Sequence, residues 1–437
     1  VAHLHRRAGF SASWSELQRD LAEGAEASIN RLVDGKARGV TEGASEEFEA
    51  TSALLAESAL ASNEPARLTA WWFYRVLYTP DPIGERLTLL WHDHFATSNS
   101  KVDNLSAMHR QNQTFRRFAR APFGVLLNEV IRDPALLLWL DAPSNRKGQP
   151  NENLARELLE LFTLGIGNYT ERDVKETARA LTGWTVAGER FANDNSRHDD
   201  GEKSILGSKG RWSGSDLLRI LLEHPATAMR LARRICRLLM GEGAVEENEV
   251  ADLAAELRRN ELDVGRAVAT VIRSRAFFAE RNIRSRILDP VGFVAGPVRA
   301  LGLWDRPPST LALADWSARL GQDLFYPPNV GGWPGGRSWL TSRTIIARAN
   351  YAGALVTGSI VGRPEPLDPL DLAGRAGCGD DRESVLRFFA TILTGASPSV
   401  RSLARWVEAA GPRSSWGPDT ARRAVALILA SPSAQLA

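Results

Sequence analysis

Glu157 and Glu160, one helical turn apart in the segment Pro150–Gly183, are the side chains best placed to do chemistry. On a helix advancing ~100° per residue, Leu154, Leu158 and Leu161 fall on one side, with Leu159 and Phe162 beside them. Glu152, Arg156 and Glu160 then form a stripe on the other side, flanked by Asn153 and Glu157. Enclosed in a cleft, two such carboxyl groups would have their pKa values driven apart, which suits a general acid and base. They would equally serve as metal ligands. On an open surface the same stripe is a solvated face tied by Glu–Arg pairs, each worth roughly a few tenths of a kcal/mol.

Two other segments carry imidazoles. His92-Asp93-His94 has a spacing that serves metal sites on strands, where alternate residues share a face. The preceding Leu87–Trp91 run reads as helix, on which the two rings diverge by ~200°. His94, at helical spacing from Leu87, Leu90 and Trp91, is the inward one, and a carboxylate partner would make it a proton shuttle. The loop Asn193–Lys203 fails as a calcium-binding EF-hand, because the register that centres Asp200-Gly201 puts Ser196 and Gly207 where carboxylates belong. It is either an ordinary Asp-Gly bend or a loop presenting His198 and Asp199 across a cleft from Glu157 and Glu160. The expected catalytic set is therefore Glu157, Glu160, His94, His198 and Asp199, with no metal assigned.

Substrate contacts are expected from Asn151, Asn153, Arg156, Trp184, Trp333 and Arg337. The stretch Gly331–Gly336 lacks the Lys-Ser/Thr ending of a phosphate-binding loop, and no strand precedes it. It reads as a rigid lip whose Trp333 and Trp339 either stack on flat ligands or sugar faces or fold down over the core. No Gly-x-Ser-x-Gly elbow and no His-Glu-x-x-His motif occurs, and no cofactor is expected.

The elements that must hold these groups are helical. Patterns predict helices at Pro65–Tyr78, Pro82–Phe95, Asn151–Phe162, Pro225–Met240, Val264–Arg273 and Asp289–Leu301, among others. Thr170-Glu171-Arg172-Asp173 predicts a capping box with Asp in the glutamate place. Strand patterns are scarce, the best place being Thr185–Leu206, split by the polar turn Asn193–Ser196. The fold class is all-α: an irregular multi-helix bundle with long Gly/Pro loops and at most one small hairpin. A main domain over 1–360, a proline-containing linker over 361–381 and a small C-terminal helical subdomain over 382–437 are expected.

Composition excludes several classes. The 437 residues are 43% hydrophobic and 24% charged, enough to bury a substantial core. No apolar run approaches the ~18 residues of a membrane helix. Cys236 and Cys378 are the two cysteines, too few for a disulfide scaffold. A formal charge of +2 gives no nucleic-acid footprint. Of 54 basic residues only six are lysine. That bias follows from a GC-rich coding sequence or from guanidinium groups lining a cleft for anionic or sugar ligands. The chain opens at Val1, and a targeting segment ahead of it is expected to have been trimmed away.

Several blocks together resemble a known bacterial family. They are His3–Phe10 (HLHRRAGF), Trp91–Thr97 (WHDHFAT), Asn151–Gly165 (NENLARELLELFTLG), Gly167–Thr170 with Ala180–Trp184, His198–Lys203 and Pro327–Gly336. In this order they look like the family termed domain of unknown function 1800. Where that family generally shows Asn, this chain has Asp93, which adds a charge between the two histidines. The resemblance implies an exported setting and a partner protein with a twin-arginine export signal, but no reaction. Three functions are thus expected in turn: a hydrolase or lyase acting on a polysaccharide-like polymer through carboxylate acid/base chemistry, a non-catalytic scaffold or partner whose Glu, Arg and His blocks are structural networks, or a metal protein using His92, His94, Glu157 or His198. Neither nucleic-acid binding nor an integral membrane position is expected.

Overall fold

A computed structural model describes residues 1–35, 42–241, 245–304, 307–362 and 365–437. Several of its helices begin where the sequence supplies proline. Pro65, Pro82, Pro134, Pro225 and Pro290 each stand in the first turn of a helix, where the missing N–H forfeits no bond and the fixed φ already suits the helix. Asp81, Asp133 and Asp289 precede three of them and accept hydrogen bonds from backbone N–H groups of the first turn. The helices Pro65–Tyr78, Pro225–Met240 and Val264–Arg273 have the ends the sequence predicts. The capping box at Thr170 and Asp173 is formed.

The chain is mostly α-helical, with regular strands confined to two antiparallel hairpins among the described residues. They pair Trp184–Ala187 with Arg190–Asn193 and Lys203–Ile205 with Ser208–Gly210. Both lie in or beside the stretch expected to hold one hairpin. The second arises because the chain reverses at Gly188 and at Leu206-Gly207, all with positive φ, and not at the polar turn. Asn193–Ser196 instead runs into a short 3-10 turn, Asn195–Arg197, capped by Asp194, that joins the hairpins.

Two hydrophobic clusters share the interior. One gathers helices from the first two thirds of the chain, including Leu87, Leu90 and Trp91. The other joins Leu89 and the Pro65–Tyr78 helix to Val291, Tyr351, Phe389 and Ile428 from the last third. The helix Pro82–His94 thus lies between both, and every residue in it except Asp93 is buried. The C-terminal helices Arg382–Thr394 and Pro418–Ala430 belong to the second cluster and pack together, the latter also against Ser342–Thr357. Within 361–381 the chain forms the helix Pro369–Arg375, capped by Asp368.

Buried arginines clamp this architecture through backbone carbonyls. Arg6 donates to the carbonyls of Leu393, Ala434 and Leu436. Arg86 reaches Gly9, Arg299 reaches Ser11 and Leu77, and Arg348 reaches Leu288. Each needs a forked donor at the end of a long stem, which lysine does not provide. Part of the arginine bias is therefore structural.

Candidate functional site

The segment expected to carry acid/base chemistry departs from a regular α-helix at its centre. Asn153–Glu157 is α-helical, but Leu158–Thr163 forms a π-turn in which Leu164 N–H donates to the Leu159 carbonyl. The wider turn frees other carbonyls, and two side chains take them: Arg230 Nε donates to Leu161 O at 2.6 Å and His94 Nε2 to Phe162 O at 3.0 Å. It also breaks the regular stripe. Arg156 pairs with Glu152 and Glu171, whereas Glu160 accepts a 2.6 Å hydrogen bond from the Tyr169 hydroxyl. Glu157 is half-buried and, among the described residues, has no hydrogen-bond or ion-pair partner. Burial, and then the neighbouring Glu160, raise its carboxyl pKa above the usual range.

His94 does not meet a carboxylate. Its ring is buried, and desolvation followed by the charges of Arg234 and Arg230 hold it neutral, well below the ordinary imidazole range. His92 diverges from it, as helical geometry requires, into a box made by Trp72, Phe115, Phe325 and Trp333. Neither ring nitrogen of His92 has a partner, and burial lowers its pKa to about 3. The two rings therefore share no ligand position.

The His198–Lys203 loop is likewise tied internally. His198 Nδ1 bonds the Thr182 carbonyl at 2.9 Å. Asp199 accepts from Arg179 at 2.8 Å, which, ahead of other causes, brings its carboxyl down to about 2. The buried Lys203 ammonium donates to the carbonyls of Asp199 and Gly201. Asn151 and Asn153 bond Ser144 and Asp141. Trp184 is buried against Phe191, with the Arg132 guanidinium over its ring.

A cleft of about 570 Å³ opens elsewhere, along the seam between the two hydrophobic clusters. Its walls come from the Pro82–His94 helix, the end of the Pro225–Met240 helix, residues 285–289 and the lip 328–337. Five arginines (Arg86, Arg234, Arg237, Arg286, Arg337) face two aspartates, Asp93 and Asp289. Arg86 and Arg286 pair with Asp289 at 2.7 and 3.0 Å, and Arg234 pairs with Asp93 at 2.9 Å. Arg337 is exposed and unpaired among the described residues. Gln322, only 4% exposed, spends its carbonyl on the Val291 N–H and has no acceptor for its amide N–H₂ among the described residues. Arg234 Nε, Arg286 Nη1 and the Trp333 indole N–H are also buried without acceptors.

Of the residues expected from sequence, Trp333 and Arg337 line this cleft; Glu157, Glu160, His94, His198, Asp199, Asn151, Asn153, Arg156 and Trp184 do not. Trp333 and Trp339 are 6% and 5% exposed, so the lip lies folded down over the core and neither indole offers a free face for stacking. Among the described residues no three His, Cys, Asp or Glu side chains are placed to hold a metal ion. The arginines that sequence reading missed left one faint signal, since Arg230, Arg234 and Arg237 recur at helical spacing. Nothing in the sequence marks Arg86 or Gln322.

Residues 3–436 match the family model described as "Protein of unknown function (DUF1800)". The chain belongs to this family. No curated protein and no solved structure matches it. Two of the blocks that carry the DUF1800 resemblance, Trp91–Thr97 and Pro327–Gly336, meet at the cleft through Asp93. One carboxylate oxygen accepts the Trp333 N–H at 2.8 Å while the other holds Arg234. Gly332, at φ +84°, lies so close that a Cβ there would collide with Asp93. A third DUF1800 block, His3–Phe10, is structural: His5 bonds the buried Asp20 at 2.7 Å, while Arg6 and Arg7 are buried clamps.

Proposed function

We propose that this protein is a binding scaffold whose arginine-lined cleft takes an anionic, oxygen-rich ligand, and that its Glu, Arg and His blocks serve mainly to hold helices in register. The observation that carries this reading is the guanidinium-rich lining of the cleft: five arginines against two carboxylates, with the Arg337 side chain exposed and the Gln322 amide N–H₂ without an acceptor among the described residues. Guanidinium forks match carboxylate and phosphate oxygens, and the cleft volume lies within the ~300–1,000 Å³ of small-ligand sites. The saturated partners of Asp199, Arg156 and His94 support the structural half of the proposal. An exported setting rests on the family resemblance.

Titration calorimetry with an anionic oligosaccharide, on the wild-type chain and on Arg337→Ala, tests it. Because Arg337 is exposed and free of internal partners, the variant should keep its melting temperature and lose about ten-fold in affinity, the size of one charge-assisted contact. Equal affinity in both proteins would count against the cleft as the binding site.

One observation favours a second reading, a hydrolase or lyase acting on a polysaccharide-like polymer. Glu157 is half-buried, unpartnered and raised in pKa beside Glu160, as a general acid would be. A polysaccharide-degrading activity abolished by Glu157→Gln and kept by Arg337→Ala would establish it in place of the first.

A further inference from the structure

The charge on the cleft walls is distributed in a way that narrows the ligand class. Three of the five arginines are already engaged by the two aspartates, which belong to the lining themselves. Guanidinium groups thus outnumber carboxylates in the lining, and Arg337 is exposed and without an internal partner among the described residues. Asp93 keeps a quarter of its side-chain surface open and Arg234 a fifth, so a ligand approaching this pair meets both signs. Between the charges stand neutral partners suited to hydroxyl groups, namely the spare amide of Gln322 and the side chain of Asn329, with Leu90, Leu238 and Ile287 supplying apolar wall. A compact polyphosphate would bring its negative charge against Asp93 and Asp289 and leave the neutral and apolar positions unused. A sugar chain with carboxylates separated by hydroxyl-bearing rings places acceptors at the guanidiniums and hydroxyls between them.

We infer that, on the anionic-ligand reading above, the cleft selects a sparsely charged carboxylated sugar chain over dense phosphate, and that Asp93 sets this preference. Asp93 acts from the wall by neutralising Arg234 and repelling concentrated negative charge. Its other oxygen tethers the lip through the Trp333 N–H, a role that the amide oxygen of asparagine can retain.

The test measures binding of tri-galacturonate and of inorganic tripolyphosphate to the whole chain by titration calorimetry, for wild type, Asp93→Asn and Arg337→Gln. Wild type should bind tri-galacturonate about ten-fold tighter than tripolyphosphate. Asp93→Asn should tighten tripolyphosphate by about ten-fold, the effect of removing one nearby wall charge, with a smaller gain for the sugar, so that the preference closes. Arg337→Gln should weaken both ligands and leave their ratio near the wild-type value. Should Asp93→Asn fail to fold, Asp93→Ser, which keeps a short acceptor, replaces it. A wild-type preference for tripolyphosphate, or an unchanged ratio in the Asp93 variant, overturns the inference while leaving an anion-binding cleft intact. Binding of neither probe overturns both.

Discussion

His94 Nε2 lies 3.0 Å from the carbonyl oxygen of Phe162, 68 residues further along the chain. The contact joins two family-like blocks, and its partner is backbone. A buried carbonyl freed by a π-turn must find a donor, and a neutral imidazole inside a dry core supplies one.

Replacing His94 by alanine should therefore destabilise the protein by about 2–4 kcal/mol, combining an orphaned carbonyl with a cavity. Urea unfolding monitored by tryptophan fluorescence measures this. Glutamine, which keeps an N–H donor, should recover part of the loss.

His92 makes the opposite case, because neither of its ring nitrogens is partnered. Its folded-state pKa, about 3, lies below the unfolded value of ~6.5. Between these values the unfolded chain binds the extra proton, so stability falls as pH drops from about 6.5 toward 3. At pH 5 the loss from this one group is about 2 kcal/mol. His92→Phe should match or exceed wild-type stability at pH 8 and outperform it clearly at pH 5 in paired urea titrations.

Asp133 titrates with the reverse sign. Burial pushes its carboxyl up to about 7 although Gln111 and the N–H groups of Ala135 and Leu136 bond it. Here the folded chain holds the proton, so stability is fullest below the unfolded value of ~3.9 and drains as pH rises to about 7. Asp133→Asn keeps the helix cap and should be more stable than wild type at pH 8, with the difference vanishing near pH 4.

Gly332→Ala places a methyl group against Asp93 at a positive φ. The lip must then lift from the Pro82–His94 helix, at a cost of about 1–3 kcal/mol. Ligand affinity should fall along with the melting temperature, in contrast to Arg337→Ala, where affinity alone should fall.

Much of the fold was legible in the sequence because its signals are local. Proline after aspartate starts helices, leucines at helical spacing bury them, and Thr170 with Asp173 closes a cap. The π-turn was not legible, since it depends on Arg230 and His94 arriving from elsewhere to donate to the freed carbonyls. The cleft was less legible for a related reason. Carboxylates and imidazoles near one another in sequence stand out as chemistry, yet Asp199, Arg156 and His94 have internal partners. The cleft was assembled from arginines contributed by four separate segments, and only Trp333 and Arg337 were anticipated there.

Arg6 ties the first helix to carbonyls at positions 393, 434 and 436, and this has a bearing on biosynthesis. While the ribosome is still producing the middle of the protein, that guanidinium has no place to go. An early-made helix must wait, its basic face unsealed, until the segments that carry residues 393, 434 and 436 emerge to enclose it. Closure of this part of the core consequently waits for residues 393–436 to be made, and chaperone dependence should track that interval.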